Sequence, residues 1–209
     1  MSKGEFKRNV KILAVAPLEI PEGLPDAAPV VNEFSSMIDE ELNRYGYSVV
    51  RPQQYEATWK KVSGESGDFR DPTSGERDEA GISQAMFRTL DELRADFELD
   101  GVLFPSIIVV EAAFGVGTAA WDGVEQRIET GGPVTGFFSG SQRGVIGALS
   151  LRVSIRDKGG KELFLNSGGI EVLSKIDGKA FVSVPRQELF TDKERNRVAV
   201  ATALKPLKR

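Results

Sequence analysis

Lys11-Ile12-Leu13-Ala14-Val15-Ala16-Pro17-Leu18, read with the patterned run from Pro29 to Tyr45 and with Gly46-Tyr47-Ser48-Val49-Val50-Arg51, decides the fold. Val10 to Leu18 is a short apolar run ending in the Pro/Gly-rich segment Pro17 to Pro29, as expected of a buried strand delivered into a loop. Pro29 suits the first turn of a helix, where its missing N–H has no partner to lose. Val30, Val31, Phe34, Met37, Ile38, Leu42 and Tyr45 then recur at helical spacing, with Asn32, Glu33, Asp39, Glu40 and Arg44 on the other side. Gly46 is a natural stop. Burying each large side chain of that stripe contributes about 1.5 to 3 kcal/mol, while ordering each residue costs about 1 to 2 kcal/mol of backbone entropy. The helix therefore needs a sheet to dock on. Tyr47 to Arg51 supplies the next strand, and a β-α-β unit of this kind places it parallel to the first with a right-handed crossover.

Downstream, Tyr55, Trp59 and Val62 mark a short helix with Trp59 in its core, followed by a polar loop from Ser63 to Arg77. Ile82, Met86, Leu90, Leu93 and Phe97 mark an amphipathic helix with Asp78 as its N-cap. Asp100-Gly101 turns the chain into a strand over Val102 to Ala112, in which Pro105 implies a bulge or an edge position because it cannot donate to the ladder. Leu149, Leu151, Val153 and Ile155 alternate with Ser150, Arg152, Ser154 and Arg156, so one face is core and the other wet. Asp157-Lys158-Gly159-Gly160 makes a hairpin. Gly168-Gly169 marks a bulge in the return strand, and Thr191 with Glu194 forms a capping box for a terminal helix ending before Pro206. The expected fold is α/β to α+β: a single domain over 10–206, with a mixed sheet, a C-terminal antiparallel hairpin and helices packed on the sheet. Residues 1–9 are expected as a flexible tail, and 112–147 as a long Gly-rich loop or hairpin insertion.

The chain holds no histidine and no cysteine in 209 residues. Histidine is the usual proton carrier near neutral pH and cysteine the ready thiolate, so most familiar hydrolase, redox and zinc chemistry lacks its central residue. A net charge of −4, spread over a mixed surface, gives no field to hold a nucleic-acid backbone. Lys3, Lys7 and Arg8 at one end and Lys205, Lys208 and Arg209 at the other read as solvated basic flanks. No apolar stretch approaches the roughly 20 residues that span a bilayer. Lys3, Lys7 and Arg8 before Ile12 to Ala16 mimic a secretion signal, but the apolar run is shorter than the roughly 7 to 15 residues such a signal requires.

Three chemistries can be weighed. Gly115-Val116-Gly117-Thr118-Ala119-Ala120 matches GxGxxA, the basis of an alternative reading as a small-molecule or nucleotide-binding enzyme, provided a helix N-terminus meets the phosphates. Trp121-Asp122-Gly123 soon interrupts any such helix. Asp68, Asp71, Glu76 and Asp78 could gather around a hard cation, but they lack EF-hand spacing, and Asp71 to Gly75 has ordinary turn chemistry. Glu111, Asp122, Glu125 and Glu171 could pair for glycoside chemistry only if two of them converge. The reading therefore names no catalytic residue, no metal and no cofactor. Instead it singles out Phe114, Trp121, Phe137 and Phe138 within 112–147: two consecutive phenylalanines between glycine-rich runs either fold back onto the sheet or meet a partner.

The strand at Lys11 to Leu18, the helix end Tyr45-Gly46-Tyr47-Ser48-Val49-Val50 and Asp100-Gly101-Val102-Leu103 resemble the periplasmic α/β domain of bacterial envelope lipoproteins. That group includes the curli-secretion channel lipoprotein, the lipoprotein activators of peptidoglycan synthases and the amino-terminal domain of the Tol translocation protein. Asp71 to Gly75, Ala120 to Gly123 and Ser167-Gly168-Gly169-Ile170-Glu171 resemble an uncharacterised proteobacterial lipoprotein group. The resemblance implies a non-enzymatic scaffold that binds a protein or a peptidoglycan-associated partner. It also implies a periplasmic place, held to the outer membrane by a lipid on the natural precursor. An authentic start at Met1 implies the cytoplasm instead.

Overall fold

The computed structural model describes residues 3–21, 27–66, 69–70, 76, 78–130, 143–157, 159–177 and 180–209. The fold grows from the opening unit. Strand β1 (Ile12–Val15) leads to helix α2 (Ala27–Arg44), which returns as β2 (Ser48–Val50), paired parallel to β1 with Leu13 opposite Val49. Phe34, Ile38 and Leu42 of α2 are fully buried, as their spacing requires. Gly46 takes φ +81°, ending the helix and reversing the chain. Helices α3 (Pro52–Ser66) and α4 (Glu79–Phe97) then cross to β3 (Gly101–Gly115), which pairs parallel to the other side of β1. The Asp78 carboxylate accepts the Gly81 N–H at 2.9 Å, the expected N-cap. Asp100 accepts the N–H groups of Lys11 and Ile12 at 2.7 and 2.9 Å, fixing where β1 begins.

The second half is antiparallel. Strand β7 (Arg143–Arg156) runs beside β3 in unbroken register from Val102↔Arg156 to Gly115↔Arg143, and β8 (Glu162–Val172) returns along β7. Between β3 and β7 the chain makes β4 (Thr118–Trp121), β5 (Val124–Arg127) and β6 (Glu129–Thr130). After β8 come β9 (Ser174–Asp177) and β10 (Ala180–Ser183), then α5 (Lys193–Leu204). Among the described residues, seven strands form one mixed sheet and β10-β9-β6 a second. One face of the large sheet packs Leu103, Leu149, Leu151, Val153 and Ile155 against α2 and α5; the opposite face packs Ala14, Val50 and Val102 against α3 and α4.

Several expectations change. Residues 3–9 are not a flexible tail: Lys3–Asn9 form helix α1, and Phe6 is buried against Phe164 because an amphipathic turn can close the end of the core. The basic flanks are not all solvated. Arg209 lies 4.5 Å over the Tyr47 ring and donates to the Val10 carbonyl, while Lys7 donates to the Lys208 carbonyl, so the two termini fasten each other. The helix over Tyr55 to Val62 continues to Ser66. Pro105 sits in a central strand without a bulge: its carbonyl accepts from Glu19 N–H, so its missing N–H faces the side where β1 has already ended. The cap of α5 is Asp192, which accepts the Arg195 N–H at 3.0 Å, because the Thr191 hydroxyl is turned back to the Glu188 carbonyl.

The bulge falls where the glycine pair foretells it, with the register shifting between Leu149↔Glu171 and Ser150↔Gly169. The pair also serves packing on both sides of β8. A Cβ on Gly168 would overlap the Ala199 carbonyl of α5, and one on Gly169 would come within 2.7 Å of Trp121 Nε1.

Candidate functional site

The far end of the β3–β7 ribbon is where the sequence reading placed its aromatic anchors. Fourteen-odd residues at roughly 3.3 Å rise carry this ribbon about 45 Å, beyond the helices that cover its base. Val116 and Gly117 take φ of 51° and 75°, a primed turn joining β3 directly to β4, and Asp122-Gly123 repeat it between β4 and β5. Over its described residues, region 112–147 holds the end of β3, the strands β4 to β6 and the start of β7.

That insertion curls over β7 and β8 and seals on them. Trp121 Nε1 donates to the Leu149 carbonyl at 3.1 Å, Gly169 N–H to the Asp122 carbonyl at 3.1 Å, and Val172 N–H to Gln126 Oε1 at 3.0 Å. A third core of Ala112, Ala119, Trp121, Ile128, Ile146, Ala148 and Val172 fills the space beneath. Trp121, named as a contact residue, is 7% exposed and belongs to this core; the glycine at 169 leaves room for its indole, and the Leu149 carbonyl satisfies its N–H.

Phe114 is half-buried. Its ring lies over Gly144, where a Cβ would come within 2.7 Å of it, and meets Phe181 of β10 edge-on at 5.8 Å. Phe181 is 57% exposed and Val182 beside it is also exposed, while Val116 at the turn is 91% exposed. On the opposite face of the ribbon Val109 and Val145 stand in water, with Val145 59% exposed. Phe137 and Phe138 lie outside the described residues. The sequence reading missed Phe181 and Val182; the signal was two adjacent large apolar residues in Ala180-Phe181-Val182-Ser183, a strand too short to bury both.

Of the four acids named for glycoside chemistry, only Glu171 is buried. It accepts the Phe190 N–H and lies 3.8 Å from Arg195, so it holds the segment entering α5. Burial pushes its carboxyl above the ordinary value, opposed by the Phe190 N–H and by Arg195. Glu111, Asp122 and Glu125 are exposed on other parts of the ribbon. Asp78 is used as a helix cap, and Asp68 and Asp71 lie outside the described residues. Among the described residues no three acids, histidines or cysteines gather as a metal site. The Gly115 to Ala120 turn also departs from the nucleotide reading, because Thr118 opens a strand and no helix N-terminus follows the glycines.

No family model matches this chain. No curated protein matches it either. Among solved structures it is similar to lipoprotein GNA1162 from Neisseria meningitidis at 18% identity and a TM-score of 0.39, over 78% of this chain and 83% of that one. It is also similar to a neuraminyllactose-binding hemagglutinin homolog from Helicobacter pylori at 8% identity and a TM-score of 0.34, over 95% of this chain and 84% of that one. At such scores neither likeness assigns a function.

Proposed function

We propose that this chain is a non-enzymatic domain of the bacterial cell envelope, which holds the far end of its β3–β7 ribbon against a protein or peptidoglycan-associated partner. The envelope place rests on the resemblance carried by Lys11 to Leu18, Tyr45 to Val50 and Ser167 to Glu171. The observation that carries the binding role is the exposure of Phe181 beside Phe114, on the edge strand β10, all four of whose residues are exposed. An exposed aromatic on a rigid strand loses little freedom on binding and can dominate a small interface. Phe137 and Phe138, between β6 and β7, belong to the proposed contact set as extra anchors. A net charge of −4 argues for a partner other than nucleic acid.

The test places a photo-crosslinking side chain at position 181 in cells, with position 87 on α4 as an equally exposed aromatic control. In parallel, the purified chain is sedimented with isolated cell-wall sacculi. A discrete protein adduct at 181 and none at 87 identifies a protein partner, and co-sedimentation lost in Phe181→Ser identifies the wall. Neither adduct nor co-sedimentation, with the chain found in the cytoplasmic fraction, refutes the proposal.

A further inference from the structure

A second surface, remote from the ribbon tip in sequence, has the form of a small-molecule site. The carboxyl ends of the parallel strands β1 and β2, at Pro17 and Arg51, open on a cleft of about 700 Å³ between α2 and α3. Ligands of open α/β sheets characteristically bind beyond the carboxyl ends of parallel strands. Asn32, Ser35, Asp39 and Asn43 lie on one face of α2, beside the stripe that docks on the sheet, and α3 contributes Gln53 and Glu56. This face is polar without being internally satisfied. Asp39 Oδ1 is buried with no hydrogen-bond partner, and the side chains of Asn32, Ser35 and Gln53 make no hydrogen bond among the described residues. Burial pushes the Asp39 carboxyl up, and the charge of the Arg51 guanidinium draws it partly back down. An unpaired buried carboxylate oxygen is costly, and a donor from outside the chain removes that cost.

We propose that this cleft binds a small hydrophilic compound bearing a primary ammonium group. The ammonium donates to Asp39, within reach of the Glu56 charge, while the neutral amides and hydroxyls of Asn32, Ser35 and Gln53 take its polar substituents. Two sources share this chemistry, amino sugars and amino acids, and Arg51 distinguishes them: an amino acid brings a carboxylate for the guanidinium, and an amino sugar does not.

The experiment is an amide NMR titration of the intact chain with glucosamine and with L-alanine, each set against its N-acetylated counterpart. Expected is binding of one ammonium probe with Kd below about 10 mM, shifting the amides of 32, 35 and 39, and weakened at least about tenfold by N-acetylation. Asp39→Asn, isosteric and uncharged, abolishes the shifts while leaving the rest of the spectrum in place. Arg51→Gln weakens alanine alone. Glu65→Gln, outside the cleft, changes nothing. Absence of shifts at these amides with both probes, shifts mapping elsewhere, or binding unaffected by Asp39→Asn each overturns the proposal.

Discussion

Gly168→Ala tests the packing that holds the whole second half together. The added Cβ would overlap the Ala199 carbonyl oxygen and lie 2.9 Å from both Ala199 C and Ala203 N, where carbon contacts settle at roughly 3.5 to 4.0 Å. The obstructing atoms are the backbone of α5, so no rotamer change relieves them and the helix must withdraw by about 1 Å. Overpacking of a core costs about 1 to 3 kcal/mol, and a rigid obstacle puts this site at the upper end. Withdrawal also stretches the two bonds from Asn166 Nδ2 to the carbonyls of Thr202 and Ala203, now 3.0 and 2.9 Å, at about 1 kcal/mol each. A loss of about 5 kcal/mol follows. With a urea m-value of about 2 to 3 kcal/mol/M, the unfolding midpoint falls by about 1.7 to 2.5 M. Gly147→Ala is the control, because its Cβ would meet only the flexible tip of Leu173 at 3.4 Å, and its stability should stay within about 1 kcal/mol of the parent. Equilibrium unfolding followed by circular dichroism measures both. A Gly168→Ala chain that unfolds within about 1 kcal/mol of the parent at unchanged m refutes the close approach of α5 to β8.

Gly64→Ala, inside α3 with nothing within 4 Å of the new methyl, should raise stability by about 0.5 to 1 kcal/mol; a lower melting temperature contradicts the helix at that position. Glu171 has a native pKa raised by burial above the ordinary 4.5, so on folding it takes up a proton in the window from its raised native value down to 4.5. Its burial penalty is present at neutral pH and is relieved as pH falls through that window, so the parent gains stability relative to Glu171→Gln on acidification from pH 7. Denaturation curves in which the parent loses ground to the variant over that range reverse the sign and sink the argument. Phe181→Ser, at an exposed position with one ring contact, should cost no more than about 1 kcal/mol while reducing partner capture. Phe137→Ser with Phe138→Ser should likewise leave the melting temperature nearly unchanged, and a large drop identifies those two rings as core.

The opening unit was legible because its signals are local and agree with one another. Phe34, Ile38 and Leu42 repeat at helical spacing, Gly46 takes the positive φ that stops the helix, and Val49 pairs with Leu13 as a parallel crossover demands. The alternation of Leu149 to Ile155 was legible for the same reason, since period two leaves one choice of buried face, except at Ser150, which was expected on the wet face and is fully buried. The termini were not. Arg209 over Tyr47, and Lys7 with the Lys208 carbonyl, join residues about 160 to 200 positions apart, and nothing in a basic flank distinguishes a docked cation from a solvated one.

Region 112–147 shows the same limit more sharply. Gly-rich composition over 112–147 pointed equally to a mobile loop and to hairpins, because primed turns and loose segments draw on the same residues; Val116-Gly117 and Asp122-Gly123 are resolved as turns only by their positive φ values. Once the hairpin is formed, β4 and β5 must bury their apolar face on something, and β8 offers a surface stripped of side chains at Gly169. Trp121 therefore goes inward, a consequence of a glycine 48 positions later in the chain that no window around the tryptophan contains. Phe114 is left at the rim because Gly144 opposite it gives the ring a floor but no wall, and the wall it finds is Phe181, itself more than half exposed. Curling the hairpin onto the sheet thus divides the aromatics into one that locks the closure and two that stay at the rim, a division set by the positions of glycines in β7 and β8.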